Sequence, residues 1–262
     1  MVVPHTGGLR GIEAAAAAGI VAGDAAKELE VISHVEQEDI EAMGTFLKEV
    51  PCSVCEASSN LIFDIQITLY HREDKASVRI TDFHTNLVHV SRNGEVLLAK
   101  EITGKEESAL ADKSTLTIEN IFAFAKEVDL ADVREVLERQ VRYNMAIAEA
   151  GLRGNYGANI GKVLLATYGD QDVKVRAKAM AAAGSDARMN GCELPVVINS
   201  GSGNQGITVS VPVMVYAEEL NVEKEKLYRA LALSNLTAIH EKTPIGRLSA
   251  YCGAVNAGAG AG

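Results

Sequence analysis

The sequence predicts an α+β protein: an N-terminal domain built on an antiparallel or mixed sheet with helices, followed by an all-helical C-terminal domain. Three observations lead there. Residues 62–69 alternate Ile62, Asp64, Gln66 and Thr68 against Phe63, Ile65, Ile67 and Leu69, the period of two that a strand imposes. Asn93-Gly94 stands between the apolar positions Val90 and Val96, the strongest short hairpin signal in the chain. Beyond the polar stretch 103–114, apolar residues recur at three and four, the spacing of one helix face. The boundary is placed at 108, giving a sheet domain of residues 1–108 and a helical domain of residues 109–262.

In chain order, Gly7-Gly8-Leu9-Arg10-Gly11 leads into an alanine-rich helix that ends near Gly23. A second helix is expected over 39–50, where Ile40, Met43, Phe46 and Leu47 share a face. Strands follow between Cys52 and about Lys100, including runs at 76–81 and 87–91. Thr117 caps a helix over 117–128, and further helices are expected over 129–150, 156–168, 173–183 and 222–240, with glycine-bearing turns between them. The β-branched run Ile207 to Val211 ahead of Pro212 reads as a strand or as a kinked helix.

Composition excludes several function classes. The 262 residues carry 25 Lys and Arg against 35 Asp and Glu, a formal charge of -10, so a phosphate backbone would be repelled and nucleic acid is not an expected partner. No apolar window of about 20 residues and no signal-peptide pattern is visible, so no membrane span is expected and the protein reads as cytoplasmic. Four cysteines without a secretory signal point to reduced thiols, buried or bound to metal, rather than to a disulfide scaffold.

The loop Asn199-Ser200-Gly201-Ser202-Gly203-Asn204-Gln205-Gly206 gathers hydroxyls, amides and glycines ahead of a helix start. Backbone N–H groups can converge there on an oxyanion, helped by the positive end of the helix dipole. An ordinary flexible turn has the same composition. The loop lacks the Lys of a phosphate loop and does not fit the dinucleotide fingerprint, so a nucleotide is not favoured.

Cys52-Ser53-Val54-Cys55 has a spacing used by zinc and redox sites, but no second pair accompanies it, and both thiols read as buried in a strand. Asp82-Phe83-His84-Thr85-Asn86 breaks the strand pattern, either as a site containing His84 or as a turn held by Asx hydrogen bonds. Cys252 reads as a residue of a small-residue helix, where a thiolate could approach an inorganic group or pack as a small apolar residue.

Three segments together, Ser185-Asp186-Ala187-Arg188-Met189, the loop 199–208, and Arg247-Leu248-Ser249-Ala250-Tyr251-Cys252, resemble the L-cysteine desulfidase family, relatives of the iron–sulfur L-serine dehydratase α-subunit. Val3-Pro4-His5-Thr6-Gly7-Gly8 and His84-Thr85-Asn86-Leu87-Val88 match further family segments in the same order. The resemblance implies β-elimination from a small amino acid, cysteine or serine, to give pyruvate, ammonia and sulfide or water. It implies substrate binding by Ser200, Ser202, Asn204, Gln205, Gly206 and His84, and a four-iron four-sulfur cluster on three cysteines, of which Cys252 matches one. The two other family cysteine segments do not occur, and both ends of the sequence look cut, so the cluster is expected to be absent from this chain and the fragment to be inactive and self-associating as a homo-oligomer. The resemblance names no general base. The rival expectation is a non-catalytic relative that binds an amino acid without a cluster.

Overall fold

The computed structural model describes residues 2–102, 112–246 and 252–262. It is α+β, with a four-stranded antiparallel sheet near the N-terminus and a mostly helical C-terminal region. The chain divides into two compact units, one of His5–Asp112 and one of Lys113–Gly262 together with Met1–Pro4.

The first unit opens with α1 (Ile12–Ala22) and α2 (Gln37–Glu49). A reciprocal capping box starts α2, with the Glu36 N–H donating to Asp39 Oδ2 at 2.9 Å and the Glu36 side chain accepting from the third helical residue. Strands β1 (Asp64–His71), β2 (Asp74–Thr81), β3 (Leu87–Arg92) and β4 (Glu95–Ala99) then pair in sequence order. The β3–β4 turn is the expected Asn93-Gly94, with φ of 51° and 86°, the two positive values that the favoured two-residue hairpin turn requires. Asn93 also holds the neighbouring hairpin: its Nδ2 donates to Asp74 Oδ1 at 2.7 Å and its Oδ1 accepts from the Lys75 N–H at 2.7 Å.

Two expectations about this unit need correction. Residues 52–61 form no strand, and Cys52 and Cys55 are exposed rather than buried. The segment carries three Ser with Glu56 and Asn60 and offers no alternating apolar face, so pairing it would bury little; β1 begins only at Asp64. The pattern break at 82–86 is a turn: Asn86 Nδ2 donates to the Thr81 carbonyl at 3.1 Å, and His84 is exposed with its ring 4.9 Å from that of Phe63.

The second unit contains α3 (Ile118–Glu127), α4 (Leu130–Arg153), α5 (Ile160–Tyr168), α6 (Val173–Met189), α7 (Gly203–Glu219), α8 (Lys224–Lys242) and α9 (Ala254–Ala261). Thr117 is the expected cap, its Oγ1 accepting from the Asn120 N–H, and Asp129 caps α4, its Oδ1 accepting from the Ala131 N–H. Its core runs through Leu137, Ile147, Ala148, Ile207, Val211 and Leu231, with small residues letting helices approach closely. At Gly151 a Cβ would lie 2.1 Å from the Ala183 carbonyl oxygen, so α4 and α6 touch backbone to backbone. Arg229 Nη1 donates to the carbonyls of Ala125, Lys126 and Val128, closing the C-terminal end of α3.

The open choice at 207–211 resolves as helix. These residues lie inside α7, which begins at Gly203, so Pro212 is internal rather than a helix start. Ile207, Val209 and Val211 are all fully buried, and that burial outweighs the small propensity penalty of β-branched side chains. The expected helix over 156–168 starts later, at Ile160, because Asn159 takes a left-handed conformation. Among the described residues no helix is long and apolar enough to cross a membrane.

Candidate functional site

The site is built where α6 ends against the start of α7. Residues 199–202 form a tight turn in which the Asn199 N–H donates to the Ser202 carbonyl at 3.1 Å and the Ser202 N–H returns to Asn199 at 3.0 Å. Ser200 (φ 47°) and Gly201 (φ 80°) occupy the left-handed positions of that turn. Ser202 is the N-cap of α7, its hydroxyl accepting from the Gln205 N–H at 3.4 Å and its carbonyl from the Gly206 N–H at 3.1 Å. Among the described residues the N–H groups of Gly203 and Asn204 have no acceptor. They are the two outward donors that every helix start leaves over.

Arg188, one residue before the end of α6, brings a cation to these donors. A Cβ on Gly203 would lie 2.1 Å from Arg188 Nε and 2.7 Å from its Cζ, so the guanidinium rests on the Gly203 backbone. Its Nη1 donates to Asn204 Oδ1 at 3.2 Å. Burial pushes the guanidinium below its usual range, and no acidic neighbour contributes to offset that. The nearby Asp186 is turned away to cap α5, its Oδ2 accepting from the Ile160 N–H at 2.8 Å. A half-buried cation without a counter-ion among the described residues, set beside two N–H groups without an acceptor there at the positive end of a helix dipole, suits an anion.

A polar network holds the turn in place. Asn144 on α4 is fully buried; its Nδ2 lies 2.9 Å from the Gly206 carbonyl and 3.1 Å from the Val197 carbonyl, and its Oδ1 accepts from the Val197 N–H at 2.8 Å. Residue 206 has to be Gly, because a Cβ there would meet the Val197 carbonyl oxygen at 1.9 Å. Asn199 Nδ2 donates to Asn235 Oδ1 at 3.0 Å, and Asn235 exchanges two hydrogen bonds with Gln140. The turn is therefore fixed from α4 and α8 before any ligand arrives.

The residues expected to act together are brought together in part. Ser200, Ser202, Asn204, Gln205 and Gly206 are in the turn or the first helical turn, but the N–H groups of Ser202, Gln205 and Gly206 are used internally. Gln205 is 2% exposed, and its Oε1 has no partner among the described residues. Its carboxamide lies so close to Gly253 that a Cβ there would sit 2.2–2.4 Å from Cδ, Oε1 and Nε2, which sets the loop next to Cys252. Cys252 is exposed and precedes α9 rather than lying on a helix, because Gly253 caps that helix. Residues 247–251 of the Arg247–Cys252 segment lie outside the described residues. His84 belongs to the sheet unit. Cys192 pairs with the Tyr156 hydroxyl, which raises the tyrosine pKa.

The residues present do not by themselves fit a four-iron four-sulfur cluster. Among the described residues no three His, Cys, Asp or Glu side chains converge on a metal position, and Cys252 is the one thiol beside the loop. Arg188 is the candidate site residue that the sequence alone does not single out. Its signal was an arginine near the end of an otherwise small-residue helix, 15 positions before the glycines it meets.

Curated relatives include a UPF0597 protein of Desulfitobacterium hafniense, 55% identical over 100% of this chain, and one of Lachnoclostridium phytofermentans, 50% identical over 100%. A UPF0597 protein of Fusobacterium nucleatum is 41% identical over 99%. The chain spans about 61–62% of the length of these relatives. No solved structure matches it. The sequence model described as Serine dehydratase alpha chain matches residues 26–262, and the chain belongs to that family.

Proposed function

We propose that the chain is the substrate-binding part of a lyase that removes HX across the α and β carbons of a small amino acid, L-cysteine or L-serine. The observation that carries this reading is Arg188, a half-buried guanidinium with no acidic partner among the described residues, resting on the N-terminus of α7. The substrate α-carboxylate takes the place of the missing counter-ion, with the N–H groups of Gly203 and Asn204 as further donors. Neutralising the carboxylate makes the α-proton easier to remove. Loss of that proton and of the β-thiol or hydroxyl leaves an enamine, which tautomerises and hydrolyses to pyruvate and ammonia. Ser200, Ser202 and Gln205 are proposed to shape the remainder of the substrate site. In complete family members a cluster would supply a Lewis acid for the leaving group, with Cys252 as one ligand; no step is assigned to it here.

The test is binding of L-serine and L-cysteine against ethanolamine and cysteamine, their counterparts without the carboxylate. Saturable binding of the acids alone, lost in Arg188→Met, supports the reading. Equal binding of the decarboxylated pair defeats it.

A second reading is favoured by the lack of converging ligands around Cys252 among the described residues: an amino-acid-binding relative without a cluster. It shares the Arg188 site and differs in chemistry. Pyruvate release by a full-length family protein, abolished when its equivalent of Arg188 is replaced, separates the two.

A further inference from the structure

The helical unit carries a groove of about 480 Å³ that includes none of residues 199–206. One wall is α6, through Lys174, Ala177, Lys178, Ala181 and Ser185; the other is the last turn of α9, Gly258 to Gly262. The floor is one face of α7, with Thr208, Pro212 and Tyr216 spaced four apart. Small side chains on both walls keep the groove open. Its volume lies in the range of sites that take medium-sized organic ligands, far larger than a serine or cysteine fills.

Two features give this groove a chemical preference. Lys174 and Lys178 stand one helical turn apart on its rim, both exposed, and among the described residues neither forms an ion pair. Arg176 between them is committed to Glu219 and to the carbonyls of Asp170 and Gln171. Two like charges at this spacing repel, so an anion between them is stabilising in a chain whose net charge is -10. Below the lysines the lining is apolar apart from the hydroxyls of Ser185, Thr208 and Tyr216. Pro212 has no N–H, so the Thr208 carbonyl four residues earlier lacks its helical donor on the floor.

We propose that this groove is a second ligand site, separate from the Arg188 corner, that takes an apolar-bodied carboxylate: the head between Lys174 and Lys178, the body along Ala177, Ala181 and Pro212. The charge pattern selects a carboxylate over a neutral chain, and the apolar lining selects a body longer than that of the amino-acid substrate. None of the groove residues belongs to the proposed amino-acid site, so the two readings stand or fall separately.

The experiment titrates the 262-residue chain with dodecanoate, below its micellar concentration, by isothermal calorimetry, with dodecanol as the neutral analogue. The expected result is one saturable site for dodecanoate, at least tenfold tighter than for dodecanol. In Lys174→Glu/Lys178→Glu, dodecanoate should weaken at least tenfold while dodecanol is unchanged. Ala261→Trp, at a partly exposed position on the last turn of α9, should fill the groove and abolish binding of both. Far-ultraviolet circular dichroism and the thermal unfolding midpoint of every variant should match those of the native chain, which shows that the fold is retained. Absent or multi-site dodecanoate binding, binding that survives Ala261→Trp, or equal loss of both ligands on charge reversal overturns the proposal.

Discussion

The guanidinium of Arg188 lies against the Gly203 backbone, with Nε 2.1 Å from where a Cβ would be. The end of α6 and the start of α7 therefore share one charged contact, and each residue constrains the other. Gly203→Ala should push the guanidinium off the helix start and weaken L-serine binding about tenfold, equivalent to about 1.4 kcal/mol. Arg188→Lys retains the charge but loses the planar fork, and should weaken binding by a similar factor. Calorimetric titration of both variants checks this; unchanged affinity in either would mean that the carboxylate binds elsewhere.

Asn144 should prove structurally indispensable to the same turn. Asn144→Leu leaves the part-buried Val197 N–H without its acceptor, while the Gly206 carbonyl keeps the Ser210 hydroxyl as a donor. An unsatisfied group costs about 1–3 kcal/mol. At roughly 2–4 °C per kcal/mol, a loss of about 3 kcal/mol lowers Tm by about 6–12 °C. Thermal unfolding monitored by circular dichroism measures it, and a shift under 2 °C would show that the network contributes little.

The sheet unit should lose stability in acid through one ion pair. Arg79 grips Asp64 with two hydrogen bonds, Nε to Oδ1 at 2.8 Å and Nη2 to Oδ2 at 2.7 Å, and the Asp64 side chain is only 5% exposed. The hydrogen bonds from Arg79 hold the Asp64 carboxyl below its ordinary value of 3.8. A carboxyl with a depressed folded pKa stabilises the fold fully above that ordinary value and ceases to as pH falls through the folded one. The stability difference between the native chain and Asp64→Asn should therefore be largest above about pH 4 and shrink below it. Urea unfolding across pH measures the difference; a gap that widens in acid would contradict the assignment.

How much of this was legible in the sequence depends on the range of the interaction. The Asn93-Gly94 turn, the Thr117 and Asp129 caps and the alternation along β1 are local, and the chain states them directly. Ile207 to Val211 could not be decided locally, because their helical state follows from burial against α4, α6 and α8. Cys52 and Cys55 were misplaced because a short period-two pattern was extended into a segment with nothing to pair. The loop 199–206 reads by composition as a candidate anion site or an ordinary turn, while the charge that lies against it comes from Arg188 on the preceding helix. A cation without a counter-ion is recognisable only when its neighbours in space are known.

Cys252 carries the last prediction. It is exposed beside the buried Gln205, and among the described residues no set of three ligands accompanies it. Clusters of this kind are retained by several thiolates acting together, so a single one exchanges its iron readily. After anaerobic reconstitution and desalting, the 262-residue chain should keep well under one cluster's worth of iron and sulfide and should release no pyruvate from L-cysteine or L-serine. Cys252→Ser should leave the residual iron nearly unchanged. L-serine binding at Arg188 should persist in both proteins, because the carboxylate contacts involve neither the thiol nor iron. A stoichiometric cluster in the native chain, lost in Cys252→Ser, would show that thiols read here as uninvolved, Cys52, Cys55 or Cys192, complete the ligand set.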